Sequence, residues 1–489
     1  MLRWNKLPLS AAVLAALSAC TAGPNFERPA APAASAYTRG GQTDLAATGI
    51  SLHSGANPPP AWWTLFDSRR LDQTMQLALA GNRTLQSAQQ SLLQAAQLER
   101  ISDAARYPEI DLNAGAGRNR LGAASFGSEF HLPPFTYFSI GPAVSYTLDL
   151  NGSVSRDIEA ARARIDYQGY QLDAAYLSLT GNVALQALHI AATRAQIHSI
   201  QALLADDEQN LRLVQSAFDA GSVSRVDVLT ARSQYARDQT LLPPLQQQLD
   251  AARHALSVLA GRLPADWVPP DFDLQEMTLP DALPLTVPSE LVRRRPDILA
   301  AEARLHAATA QVGIASADLY PHITLAAAAS MQSTTLGGLF DASSVAATLL
   351  GSLTQPLYDH GRLKARKQAA TTAMRGALLD YEQTVLTSFG QVADLLDAMD
   401  HDAQMVATQQ RALDTAASTL DLTRQSYSAG NVGILQLIDA EREREQAELG
   451  LVRARAQRYE DAMQLILAMG GRAPDDIRNA GRNQSQNAS

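Results

Sequence analysis

Few residues of this 489-residue chain have the type and spacing to do chemistry. The one thiol is Cys20, in the stretch Leu17-Ser18-Ala19-Cys20. Arg3 and Lys6 open the chain, and Leu7 to Leu17 is a mostly apolar run too short to hold in a bilayer. A positive start, a short apolar run and small residues at a processing point make residues 1–19 a secretory signal, outside the fold. A lone cysteine leaves no internal disulfide, so the fold must stand without one in an oxidising compartment. The nine histidines show no His-Glu-x-x-His or other metal-ligand spacing. There is no Gly-Lys phosphate loop and no Gly-x-Ser-x-Gly elbow. These residues point to no enzyme, no cofactor and no metal. Arg294-Arg295-Pro296-Asp297 looks like a site, yet Asp297 and Glu302 suit the dipole of an opening helix, and the stretch reads as a cap. Trp62-Trp63 reads as packing.

The spelling around Cys20 resembles a bacterial lipobox. That resemblance implies that Cys20 becomes the first mature residue, an S-diacylglycerol cysteine with an N-palmitoyl chain. Each buried methylene contributes about 0.8 kcal/mol, so several chains give a durable anchor in outer membrane lipid. Thr21 follows, without the Asp that favours inner-membrane retention in enteric-type lipoproteins. The net charge is −9 with no basic run able to recruit nucleic acid. Past the signal no stretch of 18 apolar residues exists, so no helix can cross a membrane. The remaining way to span one is a closed β-barrel.

The elements that must build such a barrel come in two copies. Ala105-Arg106-Tyr107-Pro108 recurs as Asp318-Leu319-Tyr320-Pro321, Gly152 as Gly361, and Phe218-Asp219-Ala220-Gly221 as Tyr427-Ser428-Ala429-Gly430. The offset is 213 at the first match and 209 at the others, so one loop between Pro108 and Gly152 differs in length. In each copy a helix runs to the Tyr-Pro, where proline forces extended backbone. Two alternating stretches follow. Phe138, Ile140, Val144, Tyr146 and Leu148 fall on one side of the clearest, and Ser139, Gly141, Ser145 and Thr147 on the other. Period two with one apolar and one small or polar face predicts a strand between lipid and water. Ile110–Gly117, Ile323–Ser330 and Val345–Leu357 supply the other three strands. Helices of roughly 65 residues, about 100 Å at 1.5 Å per residue, are predicted from Gly152 to Ala217 and from Gly361 to Ala429. Gly221 and Gly430 make turns, and return helices run from Val226 to Leu259 and from Ile434 to Met469. Pro243-Pro244 should kink or split the first return helix.

The expected division is a linker at 20–60, a first repeat at 61–261, a Pro- and Asp-rich linker at 262–288, a second repeat at 289–471 and a disordered tail at 472–489. Four strands close no useful barrel, so their edges must pair with other copies.

Over residues 20–471 the chain resembles the outer membrane factor family, the TolC/OprM/NodT group, and its lipoprotein branch in particular. The marks are the lipobox, Trp62-Trp63-Thr64-Leu65-Phe66-Asp67, Arg294-Arg295-Pro296-Asp297-Ile298 with Ala301-Glu302-Ala303, and Tyr427-Ser428-Ala429-Gly430 leading to Leu435 and Leu437-Ile438-Asp439-Ala440. The resemblance implies an α+β membrane protein. It would be a homotrimer with a twelve-stranded β-barrel, four strands per protomer, continuous with a twelve-helix periplasmic α-barrel. It implies an exit duct for drugs or other small molecules, working with a periplasmic membrane-fusion adaptor and an inner-membrane pump of the RND or MFS type, without nucleic acid. A type I protein secretion duct and a pore-less structural lipoprotein are the alternatives. The resemblance also implies a periplasmic gate at Leu435 and Asp439, which lie four apart and so on one helix face. Tyr427 matches a latch tyrosine and Asp227 an acidic position on the other hairpin. Gln436 stands where some members have a second acidic ring, and Val432 where some have a latch arginine.

Overall fold

The structure is a computed structural model that describes residues 21–39, 50–120 and 133–478. The described residues divide into two compact units, one formed by residues 21–29, 93–120, 133–167 and 301–381, the other by 30–39, 50–92, 168–300 and 382–478. In chain order the elements are β1 (Ser51–Ser54), α1 (Arg69–Gly81), α2 (Arg83–Ala104), β2 (Glu109–Asn119), β3 (Phe135–Leu148) and α3 (Ser153–Asp219). Then come α4 (Arg225–Gln239), α5 (Leu242–Leu259), β4 (Ala282–Leu285), the single turn α6 (Pro288–Leu291) and α7 (Pro296–Ala317). The chain continues through β5 (His322–Ser333), β6 (Val345–Thr354), α8 (Arg362–Ser428) and α9 (Ile434–Ala468).

The first unit holds an antiparallel sheet in the order β2-β3-β5-β6. Its register joins the two copies at the centre and puts matching faces in line. Ile110 opposes Val144, Tyr146 opposes Leu325, and Ile323 opposes Leu353, so one face is apolar across all four strands. Asn113 opposes Gly141, Thr147 opposes Thr324 and Thr324 opposes Ser352 on the other face. Because side chains alternate with period two, a one-residue slip would invert both faces. The apolar face is uncovered in this chain: Leu112 is 73% exposed and Leu349 83%. The β3–β5 ladder skips Gly141 and Pro142, where proline has no N–H to donate. Gly141 lies there against the Ala329 carbonyl, where a Cβ would sit 2.1 Å from the oxygen.

Residues 21–28 also belong to this unit, although the sequence suggests a loose linker. Arg156, 4% exposed, donates to the Ala22 carbonyl, to Asn25 Oδ1 at 2.6 Å and to Glu159 at 2.6 Å. Phe26 stacks on His306 at 4.3 Å, and Arg28 pairs with Glu302 at 2.7 Å. A buried guanidinium must find acceptors, and the strap supplies two of them.

The second unit has its core around Trp62, Phe66, Leu71, Tyr176, Phe272 and Met463. Trp62 Nε1 donates to Thr180, and Trp63 Nε1 to Asp72, so the tryptophan pair is packing with satisfied donors. Two further features depart from the expected linkers. β1 and β4, more than 200 residues apart in the chain, form a parallel pair. Residues 472–478, expected at the start of a disordered tail, are docked: Ala473 N–H donates to buried Asp173, which also takes Arg478 at 3.2 Å. Three Ala, Pro or Asp-rich stretches thus gain order from long-range partners that a local pattern does not reveal. Arg295 donates to the Ala468 carbonyl, to Gln391 and to Asp297, and Asp297 accepts from Ile298 N–H, which makes the Arg-Pro-Asp stretch a helix start. The return helix is split as the double proline requires, with Thr240 and Leu241 between α4 and α5.

Candidate functional site

The hairpin turns of the second unit end α3 and α8 in the same way. Gly221 and Gly430 both have φ of +76°, a left-handed conformation that glycine adopts without strain. Ser222 N–H donates to Ala217 O and Asn431 N–H to Ser426 O, both at 2.9 Å, the long bond of a Schellman cap. The first return helix then starts on a full capping box, in which the Ser224 hydroxyl also accepts from Asp227 N–H, and the second, with Gly433 at its start, on the reaching-back half alone. Ser224 N–H donates to Asp227 Oδ2 at 2.8 Å, and Gly433 N–H donates to Gln436 Oε1 at 2.7 Å. The Ser224 hydroxyl and N–H hold the Asp227 carboxyl below its usual range. Asp227 and Gln436 are therefore the same residue of the two copies, and both cap.

An apolar cluster closes the hairpin ends. Val214, Val228, Leu420, Ile434, Leu437 and Ile438 form it, with Tyr427 packed against it. Leu435 and Asp439 lie on the opposite face of α9 from that cluster, Leu435 40% exposed and the Asp439 side chain 75% exposed. Arg442, one turn on, comes within 4.0 Å of Asp439 Oδ1. The predicted pair is thus together and outward. Asp227 is committed to its helix cap, and Tyr427 to the cluster. Cys20 lies outside the described residues.

Next to the apolar cluster lies a layer of buried charge that the sequence reading missed. Asp207, Asn210, Gln234, Asp238, Glu441 and Glu445 are all at most 8% exposed. Asn210 donates to Glu441, which also takes Arg424 at 3.0 Å, while Gln234 donates to Asp238 at 2.6 Å. Arg444 pairs with Glu445. Asp207 Oδ2 is buried and accepts no hydrogen bond. Burial, then the charges of Asp238 and Glu441, push the Asp207 carboxyl up to about 7, against a weaker pull from Arg442. A second such carboxyl, Asp402, is raised to about 7 by burial and by Asp461. The signal was available: Ile200, Leu203, Asp207, Asn210 and Val214 are spaced three and four apart, a heptad seam with two polar members.

A sheet with one lipid-compatible and one polar face, two free edges, and long helical hairpins closed by capped tips defines an outer-membrane export duct. The comparisons agree. The outer membrane efflux protein family matches residues 74–262 and 287–471. The pyoverdine export outer membrane protein OpmQ of Pseudomonas aeruginosa is 29% identical over 473 residues, 95% of this chain and 96% of its own. The toluene efflux pump outer membrane protein TtgF of Pseudomonas putida is 30% identical over 468 residues, again 95% and 96%. The outer-membrane channel OprN superposes with a TM-score of 0.85 at 26% identity, over 92% of this chain and 99% of that one. The chain belongs to the outer membrane efflux protein family. It resides in the outer membrane, and its family acts as channels rather than enzymes.

Proposed function

We propose that three copies close a twelve-stranded barrel and a twelve-helix periplasmic tube, anchored by lipid on Cys20. The assembly serves as the passive exit duct of a tripartite pump. It docks with a periplasmic adaptor and an RND- or MFS-type inner-membrane transporter, and drugs or other small molecules leave through it. The observation that carries this reading is the register of β2-β3-β5-β6, which aligns one apolar face over four strands and leaves β2 and β6 with unpaired edges. An open sheet with bare edges is not tolerated in hydrocarbon, so the edges must pair with further copies. The relatives named for pyoverdine export and toluene efflux support export of small molecules.

The gate in this reading is the outward pair Leu435 and Asp439. Three leucines around the axis form an apolar constriction, and three carboxylates favour cations. Arg442 beside each Asp439 weakens their mutual repulsion. Single-channel recording in planar bilayers tests the proposal. Leu435→Ala should raise resting conductance and Asp439→Ala should lower cation preference. A purified protein without conductance sinks the duct. A conducting protein unchanged by either substitution moves the constriction elsewhere.

A further inference from the structure

Lys6, Lys364 and Lys367 are the only lysines of the chain. Two of the three fall in the first two turns of α8, at the helix-side end of the sheet, and both are exposed. We propose that Lys364 and Lys367 form a docking surface for anionic phospholipid headgroups of the periplasmic leaflet.

The placement rests on the membrane-spanning reading of the sheet. Three exposed tyrosines mark where the sheet leaves hydrocarbon at this end. Tyr107 precedes β2 and is 66% exposed, Tyr320 precedes β5 and is 53% exposed, and Tyr358 follows β6 and is 80% exposed. Amphipathic aromatic rings at strand ends form the girdle of a membrane barrel. Leu357, beside Tyr358, is 94% exposed. Lys364 and Lys367 lie about 3 and 8 Å along the axis from Arg362, the first residue of α8. A headgroup layer is roughly 5–8 Å deep on each side of the hydrocarbon, so both ammonium groups fall within it.

The charge balance there is unlike the rest of this acidic chain. Asp359 is the only acid in residues 355–370, and its carboxylate accepts from the Gly361 and Leu363 N–H groups. Asp318, just past the end of α7, is taken by Arg366 at 2.8 Å. Among the described residues neither lysine has an ion pair. The fold does not demand these cations either. The matching positions of the first copy are Ser155 and Ile158, where Ser155 bonds Asp149 and Ile158 is 1% exposed. Unpaired cations at headgroup depth, added to one copy of a duplicated helix start, fit lipid phosphate.

The scarcity of lysine supplies the experiment. Amine acylation followed by mass spectrometry, on the full protein in nanodiscs, reads the two side-chain amines directly. In phosphatidylglycerol-containing nanodiscs the labelling rate should fall about five-fold at each lysine relative to phosphatidylcholine alone, the effect of one cation at an anionic surface. It should recover in 1 M salt. Equal labelling in both lipids overturns the proposal. So does equal protection in both, which assigns the lysines to an interface with a second copy. The double variant Lys364→Gln/Lys367→Gln should lose co-purified phosphatidylglycerol, and Lys364→Arg/Lys367→Arg should retain it. Loss from both variants alike would also refute the idea. Conductance of the same preparations reports the membrane-spanning reading separately, so either can fail alone.

Discussion

Asp207→Asn should make the protein more stable at alkaline pH and remove part of its pH dependence. Asp207 is 7% exposed, has Asp238 and Glu441 as like-charged neighbours, and titrates near 7 against 3.8 for an ordinary aspartate. Its folded value is raised, so its contribution is full below pH 3.8 and is lost as pH rises through 7. A shift of about three pH units is at most about 4 kcal/mol. Arg442 is already included in that shift, and screening by water near the exposed hairpin turns reduces it further, so we take about 2 kcal/mol for the ionised form at pH 8. An amide keeps the shape, carries no charge, and can donate to Asp238. Unfolding entropy near 2.1 cal/mol/K per residue is about 1 kcal/mol/K for a chain this size, so Tm at pH 8 should rise about 2 °C. The assay is helical ellipticity against temperature at pH 5 to 8.5, with infrared detection of the protonated carboxyl. Asp238→Asn should behave alike, because either change removes one of two facing charges. Superimposable wild-type and Asp207→Asn profiles, with no carboxyl band lost between pH 6 and 8, would refute the raised Asp207 carboxyl.

Cys20→Ala should block lipidation and alter processing while leaving the strands intact; intact mass of the wild type showing an unmodified Cys20 would rule the anchor out. Gly81→Ala should destabilise by about 2 kcal/mol, since its Cβ would lie 2.3 Å from the Ala260 carbonyl oxygen and backbone must move; thermal unfolding reads it. Arg156→Ala leaves the Ala22 carbonyl and Asn25 without their donor and should speed protease cleavage within residues 21–29, about ten-fold for a local loss near 1.4 kcal/mol.

The strands and long helices were legible because their signals are local and repeated. Alternation in 138–148, the Tyr-Pro stops and the paired glycine turns each act within a few residues, and the duplication states every one twice. The break at Pro243-Pro244 and the helix start at Pro296 follow from a missing N–H and need no tertiary context. What stayed hidden depends on partners far along the chain. β1 forms because β4 offers a parallel edge more than 200 residues later, and nothing in Ser51–Ser54 announces it. The strap at 21–28 is ordered by Arg156, and 473–478 by Asp173, each a single buried ion that must be satisfied. The buried acids were overlooked because charged residues on a helix are ordinarily solvated. For Asp207 only its place in the heptad seam, between Leu203 and Val214, marks it as interior.

The two hairpins show how a duplicated scaffold can confine a charge to one of its arms. Asp227 and Gln436 hold equivalent positions, and both spend their side chains on the N–H that opens a return helix. An acid or an amide serves there equally, since each offers an acceptor oxygen, so the missing acid at 436 costs the cap nothing. Neither side chain is then free to reach across an axis. The residues left to do so come one position earlier and three later. On the first hairpin these are Val226 and Thr230, both exposed; on the second they are Leu435 and Asp439. Each arm thus presents an apolar side chain followed by a polar one, and only the second carries charge. In a ring of six arms the axial field would come from three Asp439 carboxylates alternating with three neutral threonines. That spacing separates the like charges, and Arg442 dilutes them further. Thr230→Asp would double the ring, raising cation preference and loosening the closed tip, while Asp227→Asn should keep both the cap and the ion preference. An Asp227→Asn channel with altered selectivity would place Asp227 on the axis after all and overturn this assignment.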